Sequence, residues 1–266
     1  MKIGIFDSGL GGLFILRKLK EQLPQYDYIF LGDTKNLPFG NRSQKQIYKL
    51  GIKAVQYLFQ QDCALVIVAC NTVSAQALRK IQKEWLPASK YKDRRVLGVI
   101  RPTIEEVAGK TGKVGIIGTT RTIDSRAYLR ELKKYDAKRK AVQLATPLLT
   151  PIIEAGNLDK VDEVLEHYLK LLQKEKISTL ILGCTHYCIL HSRAQKIMGS
   201  KVKIISQDTL LPKKLKIYLA KHKTIEQKLS KNGKVVLQVT KASPLYPKML
   251  KDWFRASQEF KVVNIK

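Results

Sequence analysis

Short apolar runs recur along the chain at 2–6, 28–31, 65–69, 95–99, 114–117, 141–145, 178–182 and 202–205, with a weaker one at 235–239. Runs of Val, Ile and Leu of this length predict strands covered on both faces. Between them the apolar spacing turns helical. Val161, Val164, Leu165, Tyr168 and Leu172 share one face, and Ile47, Leu50, Ala54 and Leu58 mark another. Strand and helix in alternation predict an α/β protein built on parallel sheets with helices on both sides. About the last sixty residues read as a helix, the weak strand and a second helix around Trp253.

The pattern also repeats. Ile3-Gly-Ile-Phe-Asp7-Ser8 is echoed by Val114-Gly-Ile-Ile-Gly118-Thr119, displaced by 111 positions. Leu65-Val-Ile-Val-Ala-Cys70-Asn71-Thr72 is echoed by Leu180-Ile-Leu-Gly-Cys184-Thr185-His186, with the two cysteines 114 positions apart. The displacements agree within the length of a loop, which predicts two copies of one α/β module related by internal pseudo-symmetry. If the copies face each other, one pocket receives two thiols from opposite sides. Two opposed acid/base groups of the same kind are what inverting a carbon centre requires.

Composition narrows the setting. A chain of 266 residues allows one large or two ordinary domains. Hydrophobic content of 44% against 27% charged excludes a disordered chain. No apolar stretch approaches a membrane span, and the chain enters a strand after one lysine, unlike a signal peptide. Four cysteines, Cys63, Cys70, Cys184 and Cys188, read as reduced thiols of a cytoplasmic protein. Their spacing does not match a zinc site, so no metal is expected.

Charge is the odd feature. Forty-nine basic against 22 acidic residues give +27, with clusters over Lys90–Arg95, Lys133–Lys140 and Lys213–Lys223 that include Tyr91, Tyr135 and Tyr218. No DNA-reading motif accompanies them, so the charge predicts non-specific, salt-sensitive attraction to polyanions. The stretch Lys90–Arg95 gives way to Val96-Leu-Gly-Val-Ile100, which places a domain boundary near 95–100. The chain is expected to return to its first domain near the end, giving units of 1–96 plus 208–266 and of 97–207.

In open parallel sheets, ligands gather beyond the carboxyl ends of the strands. At those ends stand Asp7-Ser8, Asp33-Thr34, Cys70-Asn71-Thr72, Thr119-Thr120 and Cys184-Thr185-His186, most followed by helical sequence. Hydroxyls and backbone N–H groups there favour a carboxylate. A helix N-terminus is also expected to draw a thiol from about 8.5 toward neutrality. Cys63 and Cys188 lack the matched surroundings and read as small buried hydrophobes. The glycine-rich start, Asp7-Ser8-Gly9-Leu10-Gly11-Gly12, has neither dinucleotide-fingerprint spacing nor a P-loop lysine. Its glycines are expected to let the backbone approach a small anion. No Lys or His stands in a pyridoxal-phosphate context, so no cofactor is expected.

Taken in order, Asp7-Ser8-Gly9, the segment from Gly32-Asp33-Thr34 to Pro38-Phe39-Gly40, Ala69-Cys70-Asn71-Thr72 and Gly183-Cys184-Thr185-His186-Tyr187 resemble the glutamate racemases, of the cofactor-independent aspartate/glutamate racemase group. Gly98-Val-Ile-Arg-Pro102, Gly118-Thr119-Thr120 and Pro147-Leu-Leu-Thr-Pro-Ile-Ile-Glu154 fit the same pattern, which is densest between 3 and 190. The resemblance implies two flavodoxin-like domains with the site in the cleft between them. It also implies interconversion of L- and D-glutamate for peptidoglycan. By that likeness Cys70 and Cys184 are the two proton-transfer groups, Asp7 assists the first, and His186 with Glu154 assists the second. Asp7, Ser8, Phe39, Gly40, Asn71, Thr72, Thr119, Thr120, Thr185 and His186 match substrate-binding positions.

Two departures stand out. Phe39 occupies a place where the family commonly has tyrosine, and Ser206-Gln207-Asp208 replaces a more usual acidic-small pair. Independently of the family, an α-proton beside a carboxylate is very weakly acidic. Without a covalent electron sink, its removal needs a water-poor pocket with donors already aimed at the developing charge. Alternatives are a racemase or isomerase of another compact acid, such as aspartate or a hydantoin, and a basic protein on the same scaffold that binds DNA or a topoisomerase. A single-thiol decarboxylase is disfavoured because both cysteines are present. A homodimer is left open.

Overall fold

Each of the nine apolar runs forms a strand, and a tenth, very short strand follows them. The computed structural model describes residues 1–256 and 258–265. Ser257 and Lys266, which fall within the range expected for the first unit, lie outside the described residues. The strands are β1 (Lys2–Asp7), β2 (Tyr28–Gly32), β3 (Cys63–Val68), β4 (Arg95–Gly98), β5 (Lys113–Gly118), β6 (Ala141–Ala145), β7 (Ile177–Gly183), β8 (Lys203–Ile205), β9 (Val235–Val239) and β10 (Lys261–Val262). They form two sheets, ordered β10-β9-β2-β1-β3-β4 and β6-β5-β7-β8. Every pairing in both sheets is parallel.

The repeat holds at the level of strand order and register. β2-β1-β3-β4 and β6-β5-β7-β8 share one topology. Phe6 lies opposite Val68 in the first sheet and Ile117 opposite Leu182 in the second. Even the irregularity repeats: the register slips between Lys2 and Ile3, and again between Lys113 and Val114. Beyond β8 the helix Gln207–Lys221 leads to β9, which pairs with β2 of the first sheet.

The helices follow from their patterns. Gln44–Gln60 opens on a capping box, in which Ser43 Oγ accepts from the Gln46 backbone N–H while Gln46 Oε1 accepts from that of Ser43. It buries Ile47, Ala54 and Leu58, with Leu50 half-buried. The helix Leu158–Gln173 buries Val161, Leu165 and Leu172 and leaves Val164 and Tyr168 at the margin. One apolar cluster runs from Ile3, Leu13 and Phe30 through Val99 and Leu149 to Leu165 and Leu182. The two sheets therefore share core, which holds their strand ends in a fixed relation. Among the described residues no helix is long and apolar enough to cross a membrane.

Candidate active site

Cys70 stands two residues beyond β3, and Cys184 directly beyond β7. Both are free thiols, 4% and 6% exposed, so neither is bathed in water. The two thiols follow equivalent strands of the repeat, and their chemical surroundings differ.

At the first thiol, Ser8 Oγ lies 3.2 Å from Cys70 Sγ. Asp7, the last residue of β1, is fully buried, and its Oδ2 accepts from the Gly12 N–H at 2.8 Å. Burial pushes the Cys70 thiol up to about 12, and the neighbouring Asp7 charge adds to the rise. Burial also lifts the Asp7 carboxyl above the ordinary carboxylate value, against the pull of His186. The lowering expected from a helix N-terminus is therefore not what Cys70 experiences. The following helix, Asn71–Gln76, is short, and desolvation outweighs it.

At the second thiol the neighbours are cationic and hydroxylic. His186 Nδ1 lies 3.7 Å from Cys184 Sγ, and Thr150 Oγ1 lies 3.6 Å from it. The far side of the imidazole meets Glu154, with 2.9 Å between Nε2 and Oε1. That contact is an ion pair; its angles fall outside hydrogen-bond geometry. Burial opposes charge on the His186 ring, yet Glu154 and Cys184 hold its pKa well above the usual histidine value. Trp253 packs edge-on against the ring at 6.0 Å and is itself stacked on Phe14 at 5.0 Å.

Three sets of contacts tie the two flanks into one site. Thr185 Oγ1 donates to Asp7 Oδ2 at 3.2 Å. The Thr72 and Thr119 hydroxyls meet at 3.0 Å. Asn71 and Gln207 form a reciprocal amide pair, with Nδ2 to Oε1 at 2.7 Å and Nε2 to Oδ1 at 2.9 Å. Tyr128 OH donates to the same Asn71 Oδ1 at 2.7 Å.

The other sequence-predicted residues are less uniform. Phe39 is buried in the apolar cluster that includes Cys70 and forms a wall there. Gly40 faces Thr119, whose Cβ would lie 3.6 Å from a Cβ added at the glycine. Thr119 also caps the helix Thr120–Asp124 by accepting from the Thr122 N–H, whereas Thr120 is exposed. Cys63 and Cys188 are buried. Gly9 and Gly11 make room for neighbouring protein groups. A Cβ at Gly9 would lie 2.5 Å from Glu154 Oε1, and one at Gly11 2.6 Å from Thr185 Oγ1 and 2.7 Å from the His186 backbone nitrogen.

Sequence reasoning missed Thr150, Tyr128, Gln207 and Trp253 as parts of this site. Two left a trace: Thr150 inside the family-like segment that ends at Glu154, and Gln207 as a departure from the family pattern. Among the described residues, no cluster of three or more His, Cys, Asp or Glu could hold a metal ion.

A family model described as Asp/Glu/Hydantoin racemase matches residues 4–208. The chain belongs to this family. Relatives within it include the glutamate racemase of Thermoanaerobacter sp. (strain X514), 39% identical over 223 residues, covering 82% of this chain and 81% of that protein. The glutamate racemase of Aquifex aeolicus (strain VF5) is also 39% identical, over 224 residues, with 82% and 84% covered. Among solved structures, glutamate racemase from Francisella tularensis subsp. tularensis SCHU S4, in complex with D-glutamate, superposes with a TM-score of 0.88 at 30% identity. That match covers 99% of this chain and 97% of the other. The family's two-domain α/β architecture thus extends over essentially the whole molecule.

Proposed function

We propose that the chain is a cofactor-independent glutamate racemase that interconverts L- and D-glutamate in the cytoplasm and supplies the D-enantiomer for peptidoglycan. One thiolate removes the α-proton while the other thiol delivers its proton to the opposite face of Cα. The roles exchange with the direction of reaction. The observation that carries this reading is the pair of thiols at equivalent strand ends of a structural repeat, joined through Ser8, Asp7 and Thr185. Family membership and the high identity to glutamate racemases support glutamate over aspartate or a hydantoin.

In this reading Asp7 assists Cys70, and His186 with Glu154 assists Cys184. Ser8, Gly40, Asn71, Thr72, Thr119, Thr120 and Thr185 receive the amino and carboxylate groups, and Phe39 supplies an apolar wall. Such a dry, donor-lined pocket stabilises charge developing at Cα without reorganising water. A division into one unit per sheet is part of the same proposal, with the boundary expected at 96/97 moved past β4, whose Leu97 and Gly98 pair with Ile67 and Val68 of the first sheet; so is a salt-sensitive attraction of the basic surface for polyanions.

The test is to follow the circular dichroism of pure L-glutamate with purified enzyme and no added cofactor. Decay to zero is expected, with deuterium entering Cα of the product in deuterated water. Unchanged ellipticity in the presence of folded protein would reject the proposal. L-aspartate run alongside decides between the nearest substrates.

A further inference from the structure

The repeat sets where a hydroxyl belongs beside each thiol, and in the second copy that place is put to another use. Ser8 follows β1 and lies 3.2 Å from Cys70. Its counterpart 111 positions on is Thr119, which follows β5. The Thr119 hydroxyl is committed elsewhere, to Thr72 and Thr122 at 3.0 Å each. The hydroxyl beside Cys184 comes instead from Thr150, in the helix Leu149–Glu154.

We infer that Thr150 is a catalytic residue that donates a hydrogen bond to the Cys184 thiolate, as Ser8 does to that of Cys70. This rests on the two-thiol reading above. Two independent placements support it. The hydroxyl lies 3.6 Å from the reacting sulfur. Thr150 also stands four residues before Glu154, so both side chains project from one face of the same helix. Glu154 meets the far side of His186, and Thr150 meets the sulfur that His186 faces. One helix thus supports both members of the Cys184–His186 pair.

The chemistry requires such a donor. Each time Cys184 gives its proton to Cα, the S–H bond breaks and negative charge is left on a sulfur that is 6% exposed. Water reaches that charge little, so fixed groups must carry it: the His186 ring on one side of the sulfur and the Thr150 O–H on another. Hydrogen bonds to charged acceptors are the stronger class.

The experiment compares wild type, Thr150→Val and Thr150→Ser in both directions of glutamate racemisation. Mirror-image substrates have equal free energies, so kcat/KM must fall by one factor in both directions. The two kcat values need not. Thr150→Val is expected to lower kcat about fivefold more for the enantiomer that Cys184 serves as acid, because thiolate charge appears there during the step. Thr150→Ser should restore the wild-type ratio. A loosened site would lower both kcat values alike, so an unchanged ratio in a folded valine variant overturns the inference. If the valine variant folds poorly, Thr150→Ala is set against Thr150→Ser with the same expected and overturning results. Wild-type enzyme inert on both enantiomers would instead sink the racemase reading, and this inference with it.

Discussion

The two thiols occupy matching places in matching sheets, and the comparison between their flanks shows what the repeat does and does not conserve. Backbone position is kept, down to the slipped register at the start of β1 and β5. Side-chain chemistry is not. Cys70 sits beside a buried carboxylate and is held as a thiol, with its pKa pushed up to about 12 by burial and then by Asp7. Cys184 sits beside an imidazole whose pKa is held well above the usual histidine value. An imidazolium 3.7 Å from a sulfur stabilises negative charge there. The two flanks thus set a buried acid beside one sulfur and a cationic ring beside the other.

The most severe break in the comparison removes either sulfur. Cys70→Ser and Cys184→Ser should each lose about 10³-fold in racemisation, the scale of a positioned acid or base, read by polarimetry or circular dichroism. A variant that keeps a tenth of wild-type rate would end the two-thiol account.

Gly11→Ala strikes the Cys184 flank. The new Cβ meets the His186 backbone nitrogen, which cannot rotate away. Overpacking of this kind costs about 1–3 kcal/mol. The melting temperature should drop, and activity should fall further than stability alone explains.

Gln207→Leu strikes the Cys70 flank by removing the amide partner of Asn71. A buried donor left unpaired costs about 1–3 kcal/mol, visible in denaturant titration. Wild-type stability in this variant would mean that the amide pair does not hold the Cys70 loop.

The gentlest probe is pH. His186 has a folded-state pKa above the unfolded value of about 6.5. Its stabilisation is therefore full below about 6.5 and is lost as pH rises through the folded value. Asp7 is raised as well, so its share has the same sign in a more acidic window, lost as pH rises from about 3.9 through its folded value. Melting temperature against pH should lose the neutral-range slope in His186→Asn and the acid-range slope in Asp7→Asn. Exchanged windows would reverse the assignment of the two flanks.

Much of this was legible in the chain because the signals are local. An apolar run of four or five residues becomes a strand wherever helices can cover it, so β1 to β9 follow from runs that need no distant partner. The thiols were legible for the same reason, since each follows such a run. Thr150 was not, because nothing near it in sequence marks it as the neighbour of a sulfur 34 residues away. The Asn71–Gln207 pair spans 136 residues and depends on how the second sheet hands the chain back to the first. The glycines at 9 and 11 were visible as points of close approach, and their lack of a side chain admits Glu154, Thr185 and His186. β10 left no trace because two residues cannot show a period.

That last strand bears on solubility. β9 runs for five residues with Val236 partly open to solvent, the kind of border onto which another chain can add and begin an aggregate. β10 pairs with its last two residues, Gln238 and Val239, and begins with Lys261. A border that short and charged offers a stranger little to zip against. The chain thus blunts one end of the outermost margin of its larger sheet against fibrous self-association with a stub.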